Sequence, residues 1–142
     1  MPFNTDKCRI MHYGKNNPCV DYFLDGIRIQ TSDEEKDLGV IFSNNLKHSC
    51  QCLKVTNSAN KIVGMVKRTI QCRTKKVMLV LYKSLVRPHL DYCMQVWRPF
   101  LKKDVECLEK IQKRFTKCIT ECKGLRYAER LKVLGLTTFE TI

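Results

Sequence analysis

Between Asn4 and Phe42, apolar and polar positions follow a period close to two. Cys8, Ile10 and His12 alternate with Arg9 and Met11, and a polar turn from Lys15 to Pro18 follows. Val20 to Leu24 and Ile27 to Gln30 flank Asp25-Gly26, a pair that suits the two-residue type I′ turn of a β-hairpin. Asp33, Glu34, Glu35 and Lys36 read as a charged connection, and Asp37 to Phe42 as one more strand with a glycine near its start.

Beyond Asn45 the period becomes helical. Cys52, Val55, Ala59, Ile62, Val63, Val66 and Ile70 recur at steps of three and four, which predicts an amphipathic helix from Leu46 to Gln71. A second helix is expected after Thr74, a suitable N-cap. It carries Met78, Leu81, Tyr82 and Leu85 inward until Pro88 bends or ends it. A third runs from Lys103 to Glu121 on the stripe Val105, Leu108, Ile111, Phe115 and Ile119. A fourth, Tyr127 to Leu134, stops at Gly135, the residue type that closes a helix in the left-handed conformation.

Strands followed by helices give an α+β fold: a short N-terminal antiparallel hairpin or sheet over residues 1–45, then a mainly α-helical bundle over 46–142. With 142 residues and 44% apolar content, the chain is expected to form one compact unit. No internal repeat or low-complexity linker interrupts it.

Charge adds a direction. Twenty-six Lys and Arg against 14 Asp and Glu leave +12, a field that attracts polyanions. The longest strongly apolar run, Val77 to Tyr82, is far shorter than the ~20 residues that span a bilayer. The polar N-terminus has no signal-peptide pattern. An intracellular protein, nuclear or cytoplasmic and without a membrane partner, is the expectation, and the nine cysteines are then expected as reduced thiols.

Several segments together carry a family likeness. Phe3 to Cys8, Met11-His12-Tyr13-Gly14 and Glu35-Lys36-Asp37-Leu38-Gly39-Val40 resemble the downstream palm, motifs D and E, of LINE-type (non-LTR, jockey-like) retrotransposon reverse transcriptases. Leu81 to Cys93, Trp97, Leu108 to Arg114 and Glu129 to Leu136 resemble the same family's thumb. The resemblance implies an RNA-directed DNA polymerase ancestor, a thumb-like helical region and an RNA-DNA hybrid or other duplex as partner. That family places its catalytic aspartates upstream of motif D, where they hold two magnesium ions. This sequence has no Asp-Asp pair, so neither polymerase activity nor a cofactor is expected of the chain alone. The Asp33-Glu34-Glu35 run reads as a solvated loop, not as a substitute.

By resemblance, Lys7 is the motif D lysine, a general acid toward the pyrophosphate leaving group. Asp37, Leu38 and Gly39 match the primer grip, in which a hairpin presents its backbone to the end of the primer. The candidate nucleic-acid contacts come from spacing. Lys47, Lys54, Lys61 and Arg68 recur every seven residues on the first helix, and Lys103, Lys110 and Lys117 on the third, rows able to follow phosphates without reading sequence.

Trp97, Tyr92, Phe100 and Phe115 are expected in the core. His48-x-Cys50-x-Cys52 and the Cys118, Cys122 pair, placed one turn apart on a helix face, lack common zinc spacing and are read as free groups. Three functions fit: a remnant of a degraded element, a retained nucleic-acid-binding module, or a helical interaction module whose charge only solubilises it. Strands without the rest of a palm expose an edge, so self-association or a partner supplying the missing palm and fingers is also expected.

Overall fold

Asp25 and Gly26 take φ angles of 51° and 77°, the left-handed pair required by a two-residue hairpin turn. Phe23–Leu24 (β2) and Ile27–Arg28 (β3) accordingly pair antiparallel, with Leu24 opposite Ile27. This computed structural model describes residues 3–140. Arg9–Ile10 (β1) pairs with Gln30–Thr31 (β4) in parallel, which the antiparallel expectation had not included.

A second hairpin replaces the expected charged connection. Glu34–Asp37 (β5) pairs antiparallel with Val40–Ser43 (β6), register Asp37 to Val40, and the chain reverses at Leu38-Gly39. Leu38 (φ 46°) and Gly39 (φ 85°) are both left-handed, so this too is a two-residue turn. The single strand expected from Asp37 to Phe42 is therefore broken in its middle. Its glycine makes the turn, and a leucine shares the strained conformation.

Ser49–Thr69 (α1) buries Cys52, Val55, Ala59, Val63 and Val66 of the predicted stripe, while Ile62 is half-buried and Ile70 lies beyond the helix end. Its start lies three residues after the expected Leu46, because Leu46 is itself left-handed (φ 56°) and Asn45 Oδ1 accepts the Lys47 N–H at 2.8 Å. Lys75–Leu81 (α2) follows Thr74, which occupies the N-cap position without a capping hydrogen bond. The cap is Glu121, whose carboxylate accepts the Lys75 N–H at 2.9 and 3.0 Å.

Pro88 does not end the helix. A π turn, Tyr82–Val86, runs into Arg87–Asp91 (α3), where the proline sits in the first turn and its missing N–H costs nothing. The buried positions Met78, Tyr82, Val86 and Leu90 are spaced by four. A regular α-helix holds about 3.6 residues per turn, so such a series drifts around its surface. A π turn holds more residues and turns the series back. Leu81 and Leu85 consequently fall off the buried face.

Met94–Trp97 (α4) is a single turn entered through Cys93 at φ 53°. Lys102–Thr116 (α5) stops short of the expected Glu121. Arg130 donates to the Lys113 carbonyl at 3.1 Å and to Thr116 Oγ1 at 2.9 Å, fixing the helix end from fourteen or more residues away. Tyr127–Leu134 (α6) closes on Gly135 at φ 64°, as predicted.

The chain divides into two compact units at Cys50/Gln51. In the second, Trp97, Tyr82, Phe115, Met78, Leu90, Leu108, Ile111 and Ile119 are fully buried, and so is the polar side chain of Gln112. Tyr82 Oη donates to Gln112 Oε1 at 2.5 Å, and Gln112 Nε2 donates to Tyr127 Oη at 3.0 Å and the Thr137 carbonyl at 2.9 Å. The α+β class stands. No described helix is long and apolar enough to cross a membrane.

Candidate nucleic-acid interface

An α-helix turns about 100° per residue, so members of a seven-residue repeat shift by only ~20°. Lys54, Lys61 and Arg68 on α1 therefore form one row, roughly opposite the buried Cys52, Val55, Ala59, Val63 and Val66. Lys61 and Arg68 are exposed, and Lys54 is half-buried. On α5, Lys103 and Lys110 are exposed opposite Leu108, Ile111 and Phe115, and Lys117, the C-cap residue, extends their row. Successive members stand ~10.5 Å apart along the axis, about three phosphate steps of one strand at ~3.4 Å each.

Arg114 Nη1 donates to Asn60 Oδ1 at 2.8 Å. Arg114, four residues after Lys110, lies beside the α5 row, whereas Asn60 stands about 100° around α1 from Lys61, so this bond ties the two helices together at the flank of the α1 row. Pattern reading missed both residues. Arg114 follows Lys110 by four, a spacing that a search for sevens passes over.

Charge is divided between the two units. Residues 1–50 carry six basic and seven acidic side chains, and residues 51–142 carry twenty and seven, a net +13 for the helical unit. Most of those seven acids are already engaged or buried. Asp91 pairs with Arg87 at 2.6 Å, Glu121 caps α2, and Glu129 accepts the Arg126 N–H at 2.8 Å. Asp104 and Glu109 are buried. The Glu121 carboxyl is held below its ordinary range by the Lys75 N–H. The remaining two, Glu106 and Glu140, are exposed, and Glu106, three residues after Lys103 and four before Lys110, interrupts the α5 row with one negative charge.

Other candidates are placed differently. Lys47 precedes α1 and belongs to neither row. Lys7 is exposed at the end of a 3-10 turn, Thr5–Lys7, capped by Asn4 Oδ1. Asp37, Leu38 and Gly39 occupy the tip of the β5–β6 hairpin, with Leu38 83% exposed. Trp97 and Phe115 are buried as expected, but Tyr92 and Phe100 are 55% and 68% exposed. Tyr92 follows the end of α3 and Phe100 precedes α5, so the helical pattern that placed them inward covers neither. Tyr92 still gives its carbonyl to the Trp97 indole N–H at 2.7 Å.

Cys118 and Cys122 do not share a helix: α5 has ended, Cys118 donates to the Arg114 carbonyl, and Cys122 is buried in a 3-10 turn. Burial pushes the Cys52 thiol up to about 12. All nine cysteines are free.

The two magnesium ions of the resembled family need converging carboxylate oxygens. Asp33 Oδ1 accepts from Asn44 and Glu34 Oε1 from Cys50, and among the described residues no three His, Cys, Asp or Glu side chains converge. The residues of this chain do not fit that pair of ions. No protein-family model, no curated protein and no solved structure matches the chain.

Proposed function

We propose that this chain is the motif D/E and thumb part of a LINE-type reverse transcriptase and that it binds duplex nucleic acid, an RNA-DNA hybrid foremost, through phosphates and without sequence preference. The observation that carries the reading is the pair of basic rows on the outer faces of α1 and α5, two helices tied together by the Arg114–Asn60 hydrogen bond. The ordered series of family-like segments, from Phe3 to Leu136, supplies the ancestry. Leu38, exposed at the tip of the β5–β6 hairpin, is compatible with the primer-grip position that Asp37, Leu38 and Gly39 have by resemblance. Polymerisation by this chain alone is not part of the proposal, and Lys7 is an inherited residue without its triphosphate.

The test is binding to a labelled hybrid across a salt series, beside a shuffled chain of identical composition. Lys54→Gln, Lys61→Gln and Arg68→Gln together remove about 2–3 units from the logarithmic salt slope, near 0.9 per phosphate contact. Equal binding by the shuffled chain, or an unchanged slope, overturns the reading.

A second reading is a helical interaction module, favoured by the exposed apolar side chains Val77, Val80, Tyr92, Val96 and Phe100. It gives a stable oligomer with little salt-dependent binding to the hybrid.

A further inference from the structure

A cleft of about 350 Å³ opens within the N-terminal unit, lined by His12, Gly14, Lys15, Asn44, Asn45, Leu46 and Lys47. Its size lies at the low end of ordinary small-ligand sites, roughly 300–1,000 Å³. No carboxylate lines it, although seven acidic residues share this unit. The charged residues at its wall are lysines, Lys15 and Lys47, both exposed and neither in an ion pair among the described residues.

The nearest acids belong to the adjoining cleft, which shares His12, Gly14 and Asn44, and both are occupied. Asp21 pairs with Arg28 at 2.6 Å, and Asp33 Oδ1 accepts the Asn44 amide at 2.8 Å. That last bond also fixes the Asn44 side chain at the cleft wall. The wall holds one group without a partner: His12 Nε2 is shielded from solvent and makes no hydrogen bond, while its ring leans on Tyr22 at 6.2 Å between centroids. An orphaned ring nitrogen is unfavourable to bury, and a ligand oxygen reached by turning the ring would supply its partner.

Two ammonium groups, side-chain amides and an unsatisfied imidazole around an acid-free cleft suit an anion with several acceptor oxygens. We propose that this cleft binds a phosphate group, with Lys15 and Lys47 as its charge partners and His12 as a hydrogen-bonding partner. The cleft lies wholly within the unit that carries no net positive charge, so the inference is independent of the helical rows. It also gives Lys47, which stands outside α1, a place of its own.

The test follows the His12, Lys15 and Lys47 signals by NMR in the full chain during titration with inorganic phosphate, a nucleoside monophosphate and the RNA-DNA hybrid. Saturable shifts at these residues are expected. Lys15→Gln and Lys47→Gln, surface changes that leave the melting temperature alone, should each weaken phosphate binding about tenfold, the worth of one charge-assisted hydrogen bond. A monophosphate preferred over phosphate, with hybrid affinity unchanged by both variants, identifies a free nucleotide as the source. Hybrid affinity that falls in both variants, with no preference for the monophosphate, identifies a strand phosphate. Signals that stay still, or affinities unaffected by both substitutions, overturn the proposal. Loss of hybrid binding in the row variants alone bears only on the helical unit.

Discussion

Arg114 and Asn60 lie fifty-four residues apart and meet through one hydrogen bond of 2.8 Å, which joins α5 to α1. Removing the charge and removing the bridge are separable. Arg114→Gln removes both the charge and the bond, so it should lower the salt slope for hybrid binding by about 1 and cost at most about 1 kcal/mol of stability. Asn60→Ala should cost at most about 1 kcal/mol, since the bond is exposed, and should leave the slope intact. Salt titrations and denaturant melts of both variants check the pair.

Gln112 joins the π turn after α2, α5, α6 and the segment after α6 at a single buried point. Gln112→Ala removes the acceptor of the Tyr82 hydroxyl and the donor to the Thr137 carbonyl and opens a void. A loss of about 3–4 kcal/mol is expected from urea unfolding. Tyr82→Phe removes one bond and should cost about 1 kcal/mol. Burial raises the Tyr82 hydroxyl to about 12, so the folded state keeps its proton where the unfolded chain has released it. Its contribution is therefore whole below the ordinary tyrosine value, near pH 10, and is lost as pH rises toward 12, a decline that Tyr82→Phe should soften.

Acid acts on the other side of the scale. Glu121 is held below the ordinary carboxylate range by the Lys75 N–H it accepts, so its stabilisation is present at neutral pH and disappears as pH falls through the lowered value. Glu121→Gln should flatten the acid limb of the melting-temperature profile. An unchanged limb would show that α2 needs no such cap.

The turn at Leu38-Gly39 holds a leucine at φ 46°. Leu38→Asn suits that conformation better and should stabilise the hairpin by roughly 0.5–1 kcal/mol, whereas Gly39→Val should destabilise it by 1 kcal/mol or more, about the ordinary cost of a branched residue at positive φ. Thermal melts of the two variants should move in opposite directions.

Thiol labelling reads burial directly. Cys19 and Cys72 are exposed and should react with iodoacetamide quickly, while Cys52, 1% exposed and pushed up to about 12, should react only on unfolding. Mass spectrometry of partly labelled protein orders the sites.

What the amino-acid pattern revealed was local. The Asp25-Gly26 hairpin, the α1 stripe and the Gly135 stop each depend on a few adjacent residues, and each is present in the structure. The second hairpin escaped because Leu-Gly is a poor turn signal and Glu34 to Asp37 resembles a solvated run. The start of α2 after Thr74 was legible, but its cap and the end of α5 escaped for a different reason: Glu121 and Arg130, which supply them, act across a fold that one-dimensional spacing does not carry. At the candidate interface, the heptad rows were legible except at Lys47, where the chain had not yet become helical. The Arg114–Asn60 bridge was not, because it exists only once α1 and α5 are side by side.

The net +13 of residues 51–142 also sets this unit against itself. Like charges packed on one small body repel, and that repulsion is relieved by any mobile anion that gathers around them. Added salt should therefore raise the melting temperature of the helical unit over the same range in which it drives nucleic acid off. Ionic strength becomes a lever with two opposed readouts, and a polyanion that engages the rows takes over the screening role of the salt it displaces, so that occupancy and thermal resistance rise together.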